Sequence, residues 1–308
     1  MTVLITGATG FVGQALLKEL AQRDEEVIVV SGKPRIARSS PSMIWRTLPN
    51  YEAIDWLPLL DGVSTIYHLA WSSLPQSSNS DPVGDALDNI VGSLRLIEAA
   101  NKKGGVRFVF TSSGGTVYGP LSTLPAPEIH RTRPTCAYGV SKLTVEKYLD
   151  FYHDLYGFNA VSLRISNPYG PGQSTGRNFG AIATFASLVL DDKPINIYGD
   201  GSVVRDYLYI SDLVRAIVAA GSVQSQSRVI NVGSGAGHSL NDVIDVIRSL
   251  TGRSIKVNYL PPRRFDVPIS VLDVSRAEVE LGWTPIVSFA DGIEATLQAL
   301  SGWSDKRA

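Results

Sequence analysis

The sequence predicts an α/β protein: a doubly wound, mostly parallel sheet followed by a smaller C-terminal α/β domain. Three observations carry that reading. Short apolar strands alternate with longer amphipathic helices over the first 166 residues, as in a parallel sheet covered on both faces. A glycine-rich turn, GATGFVG, stands between the first strand and the first helix. After about Ser166 the texture changes to Gly-, Pro- and Asn-rich loops between shorter elements.

Taken in order, Thr2–Ile5 reads as a buried strand and Ala15–Arg23 has helical periodicity with polar residues outward. Val27–Val30 completes a unit of about 30 residues, the size of a βαβ crossover. Further strands are expected at Thr65–Leu69, Phe108–Thr111 and Ala160–Arg164, and helices at Asp85–Lys103 and Tyr138–Tyr156. NPYGPGQSTGRNFG is a loop by composition. Beyond it come a helix (Ala181–Leu190), a hairpin-like PINIYGDGSVVRDYLYI, a helix (Asp212–Ala220), a strand (Arg228–Val232) and a helix opening at Ser239. Ser239 is the expected N-cap, with Asp242 three residues later in a near capping-box pattern. The expected division is a domain at 1–166 and a second at 167–308, with segments after 200 as candidates to return to the first sheet. Order is least expected at 31–42 and in the tail after Trp303.

Composition narrows the function. Hydrophobic residues make up 44% and charged residues 19%, an ordinary globule with ample core. A net charge of −1 gives no attraction to nucleic acid or anionic membrane. The single cysteine, Cys136, cannot form an internal disulfide, which fits a reducing compartment. It is expected to be a small buried hydrophobe. MTVLITG reads as a strand running into a turn rather than as a signal peptide, and no apolar run reaches membrane-spanning length. The expected location is the cytoplasm. The histidines have no metal-binding spacing, so no metal is expected.

Two features carry chemistry. Gly7, Gly10 and Gly13 follow a strand and open a helix, so backbone N–H groups there can approach a dinucleotide pyrophosphate at a helix N-terminus. Far downstream, Tyr138 and Lys142 stand four apart on an expected helix and so share a face. A neighbouring ammonium favours a phenolate and lowers a pKa that starts near ~10, making Tyr138 a base usable near neutral pH.

GATGFVG, HLA (His68–Ala70), TSSGGTVYG (Thr111–Gly119), YGVSK (Tyr138–Lys142) and RISNPYGPG (Arg164–Gly172) occur in the order seen in extended short-chain dehydrogenases/reductases. GDGSVVRDYLYISD and LDVSRAEVELGWTP resemble the nucleotide-sugar epimerase/dehydratase branch of that superfamily. The resemblance covers almost the whole chain. It implies a Rossmann domain, a substrate-binding C-terminal domain, bound NAD and a nucleoside-diphosphate sugar substrate. Gly7, Gly10, Phe11, Val12, Gly13, Leu69, Ala70, Tyr138 and Lys142 are the implied cofactor contacts. One departure leaves NADP open. The acidic residue that usually ends the second strand is replaced by Ser31, with Lys33 and Arg35 close behind, and none is evident around Thr47–Leu48.

In this family the tyrosine and lysine act with a serine or threonine. Counting back four residues from Tyr118 lands on Gly114, so Ser113 is the implied partner, with Ser112 as the alternative. Family dehydratases carry an acidic pair at this segment. Here Gly115 and Thr116 stand in its place, which points away from dehydration and towards 4-epimerisation. Asn167, Asn178, Arg205 and Arg263 match residues that hold the diphosphate and sugar, with Ser113 and Thr116 beside the hexose. Guanidinium groups suit bidentate phosphate binding. Tyr198 and Tyr207 either stack on a base or fill core.

The implied activity is a 4-epimerase of the UDP-glucose/UDP-galactose type. The alternatives are an NADPH-dependent reductase of a nucleotide-linked 4-keto sugar and a non-catalytic nucleotide sensor. The helices at 85–103 and 138–156 resemble a pair through which relatives dimerise, which implies a homodimer.

Overall fold

The computed structural model of the protein describes residues 1–23, 25–32, 43–48, 54–175, 180–262 and 267–300. Its first strands are β1 (Thr2–Thr6), β2 (Glu26–Ser31), β3 (Met43–Thr47), β4 (Val63–His68), β5 (Arg107–Ser113) and β6 (Ala160–Ile165). Then follow β7 (Asn167–Tyr169), β8 (Ile195–Tyr198), β9 (Val204–Tyr209) and β10 (Val229–Val232). The last are β11 (Gly237–Ser239), β12 (Val257–Leu260) and β13 (Ile269–Ser270). Seven of them form one sheet in the order β10-β6-β5-β4-β1-β2-β3, and every pairing is parallel. Strand order reverses between β1 and β4, so a crevice opens there at the strands' carboxyl ends, where ligands of such sheets bind.

Helices cover both faces, as a parallel sheet requires. One layer contains α1 (Phe11–Leu20). The other is built from α2 (Pro75–Ser80), α3 (Pro82–Asp85), α4 (Gly92–Lys103) and α5 (Ala137–Tyr156). Later come α6 (Ala181–Leu190), α7 (Ile210–Ser222), α8 (Leu240–Thr251), α9 (Ser275–Leu281) and α10 (Phe289–Gln298). Strand alternation decides which core each residue joins. Val3 and Ile5 pack with Leu16 of α1, Ile217 of α7 and Ala277 of α9, whereas Leu4 faces Leu96 of α4 and Val145 of α5. A separate core of Ile182, Phe185, Ile197, Val243 and Ile293 sits under the C-terminal helices.

All five expected N-terminal strands are present, and the strand at Val229–Val232 pairs with β6 in the main sheet. The Ser239 cap forms in full, its hydroxyl accepting from the Asp242 N–H while the Asp242 carboxylate accepts from the Ser239 N–H. Two expectations need correction. The helix expected at Asp85–Lys103 starts at Pro82 and is interrupted by a π-helical stretch, Ala86–Val91. The hairpin expected at 194–210 does not form. β8 pairs with β12, and β9 pairs with β7, β11 and β13. Gly199 (φ +86°) and Gly201 (φ +81°) turn the chain from one small sheet to the other. The start of α8 clamps that turn through Asn241, whose N–H and side-chain amide donate to the Gly201 and Asp200 carbonyls.

Among the described residues, no helix is long and apolar enough to cross a membrane, and no cluster of His, Cys, Asp and Glu could hold a metal ion.

Candidate active site

The glycine turn is shaped from below by packing and left open above. Gly7 has φ +76°, and a Cβ there would lie 2.4 Å from the Ala70 N and 2.5 Å from the Leu69 C, so the turn lies directly on the end of β4. A Cβ on Gly13 would meet the Gly7 carbonyl oxygen at 2.2 Å. Gly10 is exposed, and the nearest atom to its Cβ position is 3.4 Å away. Packing therefore requires Gly7 and Gly13 but not Gly10. Helix α1 starts here with no side-chain cap and no acidic residue in its first turn, so its free N–H groups face outward. A pyrophosphate fits that cradle.

Beneath it, the Thr6 hydroxyl accepts from the Ala70 N–H at 3.2 Å and meets His68 Nδ1 at 2.7 Å. His68 Nε2 meets the Ser93 hydroxyl at 2.8 Å, and burial holds the imidazole neutral, its pKa down to about 3.

These contacts give a testable contrast. Gly13→Ala is expected to cost about 1–3 kcal/mol of folding stability through overpacking. Gly10→Ala is expected to cost about 1 kcal/mol or less, a cap effect, yet to weaken NAD binding at least about tenfold by closing the backbone approach. Thermal unfolding and calorimetric titration with NAD check both. Equal NAD affinity in Gly10→Ala and the parent would contradict the placement.

Helix α5 begins at Ala137 and brings Tyr138 and Lys142 to the carboxyl ends of the strands. The Tyr138 N–H donates to the Ser78 hydroxyl at 2.9 Å, and the ring meets Trp71 edge-on at 5.9 Å between centroids. Lys142 is 2% exposed. Its ammonium donates to the Thr111 carbonyl at 2.7 Å, stands 3.6 Å over the Trp71 ring and lies 5.7 Å from the centre of the Tyr138 ring. Burial pushes the phenol above its ordinary value, with the charges of Cys136 and Asp85 acting the same way, and pushes the lysine well below its own. This reverses the expectation that Lys142 makes Tyr138 a base near neutral pH. Desolvation dominates both groups, and the ammonium is directed to Trp71 and Thr111 rather than to the phenol oxygen. Trp71 was not singled out in the sequence. Its position just past the HLA segment, at the end of a parallel strand beside the switch point, is the signal that could have found it.

The choice between the two serines follows from where each side chain goes. Ser112 donates its hydroxyl to the buried Glu146 carboxylate, which Arg164 also holds. Ser113, on the opposite side of the strand, has no hydrogen-bond partner for its hydroxyl among the described residues. Gly114 admits no side chain at all: a Cβ would lie 2.5 Å from Leu272 Cδ1 and 3.2 Å from the Arg164 carbonyl oxygen. Two residues beyond Gly114, the Thr116 hydroxyl is buried with no hydrogen-bond partner.

Asn167 and Arg205 share a cavity of about 330 Å³ with Asn196, Tyr198 and Tyr207. The Asn167 amide donates to the Asp206 carbonyl at 3.0 Å. Arg205 donates to the Val204 and Val267 carbonyls, and Asp206 is instead buried under the N–H groups of Ser234, Gly235 and Leu272. Tyr207 is core, packed on Tyr169 and Phe289. Tyr198 is 42% exposed at the cavity rim. Asn178, Arg263, Lys33 and Arg35 lie outside the described residues.

The chain has counterparts among known proteins along almost its whole length. The dTDP-4-dehydro-6-deoxyglucose reductase of Escherichia coli is 33% identical over 307 residues, covering 97% of each chain. The UDP-glucose 4-epimerase of Thermotoga maritima, solved with UDP-glucose, superposes with a TM-score of 0.91 at 33% identity, covering 97% of this chain and 98% of its own. The Thermus thermophilus UDP-glucose 4-epimerase, solved with NAD, superposes at 0.88 and 32% identity with the same coverage. Residues 3–233 match the model of one family, so the chain belongs to the NAD dependent epimerase/dehydratase family.

Proposed function

We propose that the protein is a nucleotide-sugar 4-epimerase that inverts the 4-hydroxyl of a UDP-hexose with NAD held in the glycine cradle. The observation that carries this reading is the segment from Ser113 to Tyr118. It carries two hydroxyls without hydrogen-bond partners, that of Ser113 and the buried one of Thr116, and no carboxylate to expel water from a sugar. The ligands of the two solved epimerases support the same substrate and cofactor.

Bound NAD would supply the hydride acceptor and a positively charged ring beside Tyr138. Tyr138 would act as the phenolate, favoured over the buried phenol by that ring's charge and by the Lys142 ammonium, taking the proton of the sugar's 4-hydroxyl to become the phenol and returning it after inversion, with Ser113 orienting that hydroxyl and Thr116 bonding the hexose. Lys142 would hold the nicotinamide ribose and the phenol in place. Asn167 and Arg205 would grip the diphosphate while the hexose turns, and Asn178 and Arg263 belong to the same proposed grip. The experiment is a panel of UDP-, GDP- and dTDP-sugars incubated with purified protein and no reductant. Inversion of a UDP-hexose supports the reading, and none across the panel contradicts it.

A second reading has its own support. The E. coli relative is a reductase by name, and β2 ends in buried Ser31 rather than an acid. An NADPH-dependent reductase would consume a nucleotide-linked 4-keto sugar only when reductant is added. Tightly bound NAD in the purified protein, with turnover in its absence from the buffer, excludes it.

We further propose a homodimer through helix α5. Val140, Tyr148, Phe151, Leu155 and Tyr156 are between 39% and 58% exposed along it, an apolar stripe of the kind that marks an interface. Sedimentation at micromolar concentration is expected to give a dimer, and Phe151→Asp a monomer with at least about tenfold weaker association. A monomeric parent protein would contradict the assignment.

A further inference from the structure

Beside the pair Tyr138 and Lys142 stands a buried carboxylate without a bonded cation. Asp85, at the end of α3, is 4% exposed. Its Oδ1 accepts from the Ser73 hydroxyl and from the Asn89 amide at 3.0 Å, and its Oδ2 accepts from the Ser141 hydroxyl. All three partners are neutral donors. Asp85 forms no salt bridge among the described residues. A buried charge in that condition is costly unless an opposite charge lies in the same pocket.

The groups around it identify that charge. Ser141 precedes Lys142, and Ser73 lies two residues after Trp71, over which the Lys142 ammonium stands. Glu146, one turn further along α5, is neutralised by Arg164 of β6 at 2.7 Å. His68 of β4 is held neutral, and α2 meets the start of this helix through Ser78 and Asn79, which accept from the Tyr138 and Ala137 N–H groups. Tyr138 and Cys136 complete the set on the helix itself. On the α4 side, the charged pair Glu98 and Lys102 is at the surface. Among the described residues neither Asp85 nor the Lys142 ammonium makes an ion pair, whereas Glu146, which also acts on Lys142, is bonded to Arg164.

We propose that Asp85 is a positioning residue for the Tyr138–Lys142 pair: its carboxylate keeps Lys142 in the ammonium form, and its bonds to Ser73 and Ser141 fix the Trp71 loop against helix α5. The inference rests on the reading of that pair as the working groups. Its consequence has a definite sign. Burial lowers the Lys142 pKa, and Glu146, then Asp85, opposes that fall. Removing the Asp85 charge lowers it further, so the ammonium is lost at a lower pH and activity fails earlier as pH rises.

The test uses full-length, NAD-loaded protein and the Lys142 13Cε resonance, assigned by its absence in Lys142→Met. Asp85→Asn is expected to lower the titration midpoint by roughly one to three pH units, and the alkaline limb of kcat for the UDP-hexose is expected to move with it. Ser73→Ala, which removes a tether and keeps the charge, is expected to leave the midpoint in place. An unchanged midpoint in Asp85→Asn overturns the proposal. So does a parent protein whose Lys142 titrates below about 7, a result that needs no variant to fold. The resonance is read without substrate, so lack of epimerisation would strike the functional reading while leaving this one standing, and the reverse holds equally.

Discussion

Tyr138→Phe is expected to lower kcat for epimerisation by about 10³-fold, within the 10² to 10⁴ range for removing a positioned proton donor and acceptor, while UDP-sugar affinity stays within about twofold. In the proposed site the Tyr138 phenol is the proton-exchanging group, and its oxygen has no competing hydrogen bond among the described residues. The ring itself would be retained in the variant, so its edge contact with Trp71 and the Ser78 bond to the backbone N–H survive. A loss confined to kcat is therefore the signature. Steady-state kinetics with separate calorimetric binding measures it. A variant as active as the parent would remove Tyr138 from the chemistry, and one that no longer binds substrate would make its role structural.

Arg164→Met is expected to destabilise the protein by about 3–5 kcal/mol, the cost of leaving a buried charge without its partner. Arg164 and Glu146 are 3% and 1% exposed, and they meet through both Nε and Nη2, at 3.1 and 2.7 Å. Arg164 also donates to the Glu128 carbonyl and lies 4.8 Å from the Tyr118 ring centre, while Glu146 accepts from Ser112. The pair thus ties β6, α5 and the start of the Ser113 segment together from behind. Replacing both partners, as Arg164→Met with Glu146→Leu, is expected to recover most of the loss, because no ion is then stranded. Urea unfolding of the two variants reads the difference. A single variant within about 1 kcal/mol of the parent would show that the charges reach water.

Much of this arrangement was legible in the sequence, for identifiable reasons. Strands buried on both faces are continuous apolar runs, so β1, β2, β4, β5 and β6 announce themselves. β3, MIWRT, does not, because it is a short edge strand with only half-buried apolar positions. The chain at 194–210 looked like a hairpin because local pattern shows strands but not their partners. Those partners lie as far as 65 residues along the sequence, as Ile269 beside Val204 illustrates. Spacing placed Tyr138 and Lys142 on one face, but it could not show that the long lysine side chain swings onto Trp71. Nor could it show that burial would set the sign of both pKa shifts. Counting residues left Ser112 and Ser113 open. What separates them is a remote carboxylate, Glu146, and what closes Gly114 is Leu272, supplied by a segment more than 150 residues later.

The central claim is that hydrogen leaves carbon 4 of a nucleotide-linked hexose and returns to the same carbon from the other side, under the control of Tyr138. UDP-galactose carrying deuterium at that carbon, incubated in ordinary water with no added reductant, tests it most directly. The expected product is UDP-glucose with the deuterium kept at carbon 4, and the protein-bound NAD undiminished. Deuterium lost to solvent, or turnover that appears only when NADPH is supplied and stops when it is spent, would contradict it.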